Sequence, residues 1–255
     1  MPVAPLPPGS GAKREVPSRG YISFPTRTFV RIRRMRKLFS DEDLKQVEDA
    51  VQEAESRTSG EIVPFVVERS GAYPAAYWRV GALGATIGLL AVLVLSVTYA
   101  GWSLGWLFTV AGTGIVAAVG ALLGVILVRL IPTVERFFAG ADSMESAVRD
   151  RAVRAFVDEE VFDTRDRTGI LLFISRFEQC VEVVGDTGIN ARVQPEDWAH
   201  VVEDVLVGIR DGSAGRGLIA AVRRCGDLLE AKGVAIREDD TNELSDSIRF
   251  GDSHS

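Results

Sequence analysis

Three aspartates flank a predicted pair of strands and are the best candidates for chemistry in this chain. Asp163 and Asp166 precede the pair, and Asp186 follows it. Hard cations take several oxygen ligands, so three carboxylates with backbone carbonyls and waters would suffice to hold calcium or another divalent cation. The alternative is a solvated acidic turn, because Arg165 and Arg167 lie between the aspartates along the chain. Both interpretations stay open on the sequence.

Residues for nucleophilic or general-base catalysis are scarce. The two histidines are His200, in a predicted helix, and His254, near the end of the chain. A Ser-His-Asp arrangement would have to use His200, and a lone helical histidine is more often structural. Neither Cys180 nor Cys225 has the arginine six positions on that a cysteine phosphatase loop needs, and no phosphate-binding glycine loop follows a strand. We expect no demonstrable catalytic site and leave the enzyme question open.

The same two cysteines bear on the compartment. They lack CxxC spacing and lie in apolar surroundings, which predicts buried free thiols in a reducing environment. The net charge of −6 argues against nucleic-acid binding.

The stretch from Val80 to Val128 contains no Asp, Glu, Lys, Arg or His. A bilayer crossing needs about 20 apolar residues, so the stretch is long enough for two helices, residues 80–98 and 104–128. Between them lie interfacial aromatic residues and two glycines that permit a tight reversal. The pattern predicts a transmembrane helical hairpin over about residues 80–130. A buried helix pair in a large soluble core is the alternative.

Glycines recur at close-packing spacing in both predicted helices. Gly84 and Gly88 lie in the first, and Gly120 and Gly124 in the second. Small residues four apart let helices approach closely in lipid, where packing drives association. The spacing is consistent with packing of the two helices on each other, with self-association, or with docking on another membrane protein.

Positive charge flanks the hairpin on both sides. Arg69 and Arg79 precede it, Arg129 and Arg136 follow it, and the connecting turn has no positive charge. The positive-inside rule then predicts a two-pass protein, with the turn outside and both flanks in the cytoplasm.

The remaining chain divides into tails and one globular unit. Residues 1–37 are rich in Pro, Gly and Ser, then basic, which predicts a disordered arm; its basic run would bind anionic headgroups or be a solvated leader. Met1 and Met35 are both candidate translation starts. Residues 234–255 form an acidic tail, expected to be flexible unless it docks. The globular unit comprises residues 38–72 and 143–233, separated by the hairpin.

The periodicity of the globular unit predicts a three-layer α/β fold. A helix capped by Ser40 leads to a strand at 62–67, in which Pro64 implies an open or bulged side. After the hairpin, closed by Pro132, a crossover helix begins near Ser143. Strands at 169–175 and 181–184 and two closing helices, ending at Gly233, complete the unit. The first two strands should be parallel through a right-handed crossover, with the hairpin inserted in that crossover.

A turn at residues 185–188 is expected after the last of these strands, with two glycines, Gly185 and Gly188, able to adopt positive φ angles.

The run 164–186 (TRDRTGILLFISRFEQCVEVVGD), together with TSGEIVPFVV at 58–67, resembles the TPM domain family. The likeness covers about residues 38–233 except the hairpin, and the tail at 239–246 resembles a bacterial branch in which some members carry a similar membrane insertion. The family implies a divalent-ion site, an acid phosphatase activity proposed for plant members, and accessory work on membrane complexes. Many members have Asp-Asn-Gly where this chain reads Arg167-Thr168-Gly169.

The resemblance therefore implies a TPM-like domain anchored in the bacterial cell (inner) membrane, acting as an accessory or interaction module on membrane proteins. The alternative that it implies is a divalent-metal-binding domain with phosphatase activity.

Overall fold

The computed structural model describes residues 39–98, 105–211, 213–236 and 242–251. The predicted basic arm, the centre of the hairpin turn and parts of the acidic tail lie outside these ranges. The helices are α1 (Asp41–Glu55), α2 (Pro74–Thr98), α3 (Val110–Leu130), α4 (Pro132–Ala139), α5 (Ala141–Asp158), α6 (Thr187–Asn190), α7 (Ala199–Arg210) and α8 (Ala214–Ala231). The strands are β1 (Glu61–Val67), β2 (Gly169–Ser175), β3 (Cys180–Gly185) and β4 (Arg249–Gly251).

The four strands form one mixed sheet in the order β3-β2-β1-β4. β1 and β2 are parallel, with Glu61 opposite Gly169 and Val67 opposite Ser175, and β2 and β3 are antiparallel. The parallel pairing predicted for the first two strands is therefore confirmed. β4 pairs with β1 only from Phe65 to Val67, so the ladder on that side begins just after Pro64, which has no N–H to donate.

Side chains alternate across the sheet and bury two separate cores. Ile62 of β1 and Leu172 of β2 face the helices α1, α7 and α8, where Trp198 is fully buried. Phe65 and Phe173 point the other way, stack on each other, and pack on α5 through Phe156. The sheet thus lies between two helical layers, in a mixed α/β fold.

The hairpin helices begin at different residues from those expected. α2 starts at Pro74, six residues before Val80, because proline is favoured in a helix's first turn, where its missing N–H costs nothing. α3 starts only at Val110, where the Thr109 side chain accepts a hydrogen bond from the Gly112 N–H at 3.2 Å. A short 3₁₀ helix, Gly105–Phe108, precedes it. The two helices still form an antiparallel pair between β1 and α5, as predicted.

Pro132 begins a helix instead of ending one. α3 ends at Leu130, Ile131 adopts an extended conformation, and Pro132 is the first residue of α4. A second break, at Gly140 with φ of 87°, separates α4 from α5. Sequence analysis missed α4 and placed the start of the crossover helix near Ser143, whereas α5 begins at Ala141.

Two further details depart from the expectations. The tail docks over residues 242–251 and supplies β4, so this part of it belongs to the sheet. Among the described glycines, positive φ occurs at Gly140 and Gly233, not at Gly185 or Gly188. Gly188 is required for a different reason: a Cβ there would lie 2.7 Å from the Arg167 carbonyl oxygen.

A shortened hairpin should leave the sheet domain soluble and stable. Gly81 and Val125 face each other at the hairpin's foot, so a short Gly/Ser linker can replace residues 82–124. Replacing residues 75–136 instead removes Glu135, the ion-pair partner of the half-buried Arg69. Loss of one partner of a largely buried pair costs about 3 kcal/mol or more, or roughly 6–12 °C in melting temperature for a domain of this size.

Thermal unfolding followed by circular dichroism compares the two variants directly. Equal melting temperatures would show that the foot of the hairpin contributes nothing to the domain. Aggregation of both variants would show that the apolar helices complete the domain's core.

Candidate functional site

The structure brings Asp186 against the loop that carries the other two predicted metal ligands, but it does not gather the three carboxylates. Asp186 is buried at the start of α6, where it accepts a hydrogen bond from the Thr187 N–H at 2.6 Å. Asp163 and Asp166 are exposed. Among the described residues, no group of three or more His, Cys, Asp or Glu side chains is arranged to hold a metal ion.

Arg167 occupies the place where a cation would meet Asp186. Its Nε lies 2.8 Å from Asp186 Oδ2, and its backbone adopts a left-handed conformation with φ of 58°. A guanidinium supplies the positive charge that a metal would otherwise bring to this buried carboxylate. Arg167 therefore balances the charge of Asp186 from within the chain.

The four glycines of the hairpin meet each other at the seam between α2 and α3. A Cβ on Gly84 would collide with the carbonyl oxygen of Gly120, and a Cβ on Gly120 would collide with that of Gly84. Gly124 faces the Val80 carbonyl in the same way, and a Cβ on Gly88 would lie 3.1 Å from the carbonyl oxygen of the facing helix. Of the three interpretations of these glycines, the described structure contains packing within the chain.

The outer faces of the hairpin are apolar and uncovered. Both helices are long and apolar enough to cross a membrane, and only 17% of the most apolar window of α2 and 11% of that of α3 is buried. Exposed side chains include Ile87, Leu90, Val119 and Leu123. A helix in a soluble core buries its apolar stripe, so these helices do not behave as core helices of this domain.

A buried carboxylate joins the sheet domain to the start of the hairpin. Glu178, at the tip of the β2–β3 hairpin, is 1% exposed. It accepts hydrogen bonds from the N–H groups of Ser70 at 3.1 Å and Gly71 at 3.3 Å, from the Tyr73 hydroxyl at 2.5 Å, and from the Ser175 hydroxyl. Burial and the hydrogen bond to Glu178 raise the pKa of Tyr73. Sequence analysis did not single out Glu178, since it lies in a four-residue link between strands.

An ion pair holds the exit of the hairpin to the same place. Arg69 pairs with the buried Glu135 of α4, and its guanidinium lies 4.1 Å from the Phe177 ring centroid. Arg79 donates to the Phe138 carbonyl at the end of α4 at 2.6 Å. We call the Glu178 contacts and the Arg69–Glu135 pair the junction. It fixes the direction in which the hairpin leaves the domain.

An acidic group that sequence analysis missed forms where the tail docks. Glu55 of α1 accepts from the Ile62 N–H at 2.8 Å. Burial, followed by the nearby charges of Glu61 and Asp246, raises the pKa of Glu55 to about 9. Glu61 in turn accepts from the backbone N–H groups of tail residues 243 and 244. Nothing in the sequence links residues so far apart, and only the docked tail brings them together.

The other candidate residues from the sequence that the structure describes are His200 and the two cysteines. His200 is exposed on α7, 3.7 Å from Glu203. Burial raises the pKa of both Cys180 and Cys225 to about 12, which keeps the thiols protonated and unreactive at neutral pH. A cleft of about 960 Å³ between the start of α1 and β4 has no histidine or cysteine in its described lining.

Comparisons with known proteins bear on the fold alone. No protein-family model matches the chain, and no curated protein does. The NMR structure of BA42 protein from the psychrophilic bacterium Bizionia argentinensis is similar, with a TM-score of 0.52 and 17% sequence identity. The similarity covers 86% of this chain and 99% of that chain. The overall arrangement of the α/β domain is therefore one that a solved bacterial protein also adopts.

Removing the charge at the junction should destabilise the folded chain. In Glu178→Gln the amide would point a donor at groups that are themselves donors, and a hydrogen bond to a charged group contributes about 1.5–3 kcal/mol. We expect a loss of about 2–4 kcal/mol, seen as a melting temperature roughly 5–10 °C lower in mild detergent. The control is Glu68→Gln, which removes the exposed pair with Arg176 and should cost at most about 1 kcal/mol. Equal losses in the two variants would contradict the role of Glu178.

The raised pKa of Glu55 predicts how the free energy of unfolding depends on pH. The folded chain holds this carboxyl protonated between its ordinary pKa of 4.5 and about 9, whereas the unfolded chain releases the proton. The contribution of Glu55 is thus fully present below pH 4.5 and is lost as pH rises through 9, by at most about 1.4 kcal/mol per pH unit. Glu55→Gln, neutral at every pH, should flatten this decline in denaturant unfolding between pH 5 and 9.

The matched control for that series is Glu53→Gln on the same helix, where the side chain is exposed and pairs with Arg223. It should keep the decline of the unaltered chain. A Glu55→Gln curve parallel to the control would assign the pH dependence to other groups.

Proposed function

We propose that this chain is a TPM-like domain anchored in the bacterial inner membrane by a two-pass hairpin, and that it acts as an interaction module on membrane proteins. Both flanks of the hairpin lie in the cytoplasm in this proposal. The observation that carries it is the uncovered apolar surface around α2 and α3. Contiguous apolar surface on this scale marks a membrane or protein interaction site.

The length and edges of the hairpin support a crossing. From Trp78 to Thr98, α2 rises about 30 Å at about 1.5 Å per residue, which equals the usual thickness of the hydrocarbon core. Trp78 lies at the domain end and Trp106 at the far end, both exposed. Tryptophans concentrate at the two interfaces of membrane proteins.

The interaction role rests on how the hairpin is attached. The junction holds the entry and exit of the hairpin to the β2–β3 tip through Glu178 and the Arg69–Glu135 pair. A domain so attached keeps one orientation to the bilayer, as a module that presents a surface to neighbouring membrane proteins requires. The seam glycines are occupied within the chain, so a partner in the membrane would contact the outer faces.

Arginine placed on the outer faces tests the membrane anchor. Leu90→Arg and Val119→Arg put a charge near the middle of each crossing, at about 2.5–3.5 kcal/mol per residue. We expect both variants to be lost from membranes washed at alkaline pH, while the unaltered chain stays in the pellet. Val157→Arg, at an exposed apolar position of α5, is the control and should stay as well.

A soluble protein would respond in the opposite way, because an exposed leucine changed to arginine costs little in water. Recovery of all three variants and the unaltered chain in the supernatant would therefore refute the anchor. The partner question has its own test: membrane proteins that co-purify with the full chain in mild detergent should be lost when an unrelated two-helix hairpin replaces residues 82–124.

A further inference from the structure

The foot of the hairpin carries exposed apolar side chains on α2, α3 and α4. Trp78 on α2 is 80% exposed, Leu130 at the end of α3 is 72% exposed, and Phe137 on α4 is 72% exposed. The seam sets the level of the first two: Gly84 faces Gly120 across it, which puts Trp78 beside Ile126 and Leu130 beside Pro74. These side chains lie on the outside of the foot, opposite the small core that Ala76 and Val80 form with Ala139.

The end of α4 lies beside α2 at the foot of the hairpin. Its last carbonyls, of Phe138 and Ala139, accept hydrogen bonds from the Arg79 guanidinium at 2.6 and 3.5 Å. Arg79 directly follows Trp78 on α2, so the end of α4 lies within the reach of one arginine side chain from that part of the helix. A cation at these carbonyls also stabilises the negative end of the helix.

The two sides of α4 differ in polarity and burial. Glu135 and Ala139, one turn apart, are buried toward the junction. Thr133 and Phe137, also one turn apart, are exposed; we call these two the outward row of α4. Arg129, exposed beside the start of α4, adds positive charge at the same edge. A short helix with an exposed aromatic, flanked by arginine, is typical of segments that lie in a bilayer interface.

We infer that the outward row of α4, with Trp78, lies in the headgroup layer of the membrane, so that the sheet domain rests directly on the cytoplasmic bilayer surface. The ligand of this surface is phospholipid, and the arginines favour anionic headgroups. The inference rests on the proposed function and deepens it, because it assigns the anchor a second, interfacial part. The depth expected for Phe137 is about 5–10 Å into the boundary between headgroups and acyl chains.

Spin labels on single introduced cysteines test the depth in the full chain, reconstituted in vesicles of phosphatidylethanolamine and phosphatidylglycerol. The positions are Phe137→Cys and Thr133→Cys on α4, Ile87→Cys in the middle of α2, and Ile236→Cys. Ile236 is exposed and follows the Thr58–Ala235 bridge, so it lies at the end of β1 opposite to the hairpin. Collisions with oxygen, which concentrates in lipid, are compared with collisions with a water-soluble nickel chelate. The native thiols label slowly because their pKa values are raised to about 12, and the unaltered chain gives the background.

The expected order of nickel access is Ile236 highest, Phe137 and Thr133 intermediate, and Ile87 lowest, with oxygen access in reverse. Nickel access at Phe137 equal to that at Ile236 would overturn the interfacial placement while the anchor stands. A depth of Phe137 equal to that of Ile87 would also overturn it. So would access of neither reagent to Phe137, which would mean that a second copy of the chain covers α4. Free nickel access at Ile87 would overturn the anchor itself, and the interfacial inference with it.

Discussion

Burying a carboxylate is costly unless donors surround it, and Glu178 obtains its donors from segments that would otherwise be independent. Two come from backbone N–H groups just after β1, one from Tyr73 at the entrance to α2, and one from Ser175 at the end of β2. These contacts tie the end of the central strand, the tip of the β2–β3 hairpin and the first residue before α2 into one unit. The direction of the hairpin depends on this requirement.

The hairpin packs closely along its inner seam and exposes apolar side chains on its outer faces. Its inner seam is made of glycines and backbone. Because these glycines have no Cβ, the backbones of α2 and α3 come so close that a Cβ on Gly84 or Gly120 would collide with the facing helix. Its outer faces carry the large side chains, such as Leu90 and Leu123. Helix association in lipid relies on packing because lipid chains are as apolar as leucine, so this division suits a pair that must hold together in a bilayer.

Acidic residues in this chain differ in behaviour because of their neighbours. Asp186 is buried, and it is matched by Arg167 and by a helix N-terminus. Glu55 is largely buried beside two further carboxyls, and its pKa is raised because burial and like charge both favour the neutral form. Asp163 and Asp166 face solvent. Residue type and position along the chain made these acids candidates for metal binding. In the folded chain Asp186 pairs with Arg167 instead.

The sequence by itself determined the elements whose signal is local. Short continuous apolar runs predicted β1, β2 and β3, and a 3.6-residue apolar period predicted the helices that cover them. The uncharged stretch from Val80 to Val128 predicted the helical pair. Tertiary structure decided what depends on distant partners: the docking of β4 beside β1, the group around Glu55, the burial of Glu178 and the ion pair of Arg167 with Asp186. The physical reason is that a periodic pattern reports which side of one element is buried. It carries no information about which charge or backbone group, a hundred residues away, will satisfy a buried polar atom.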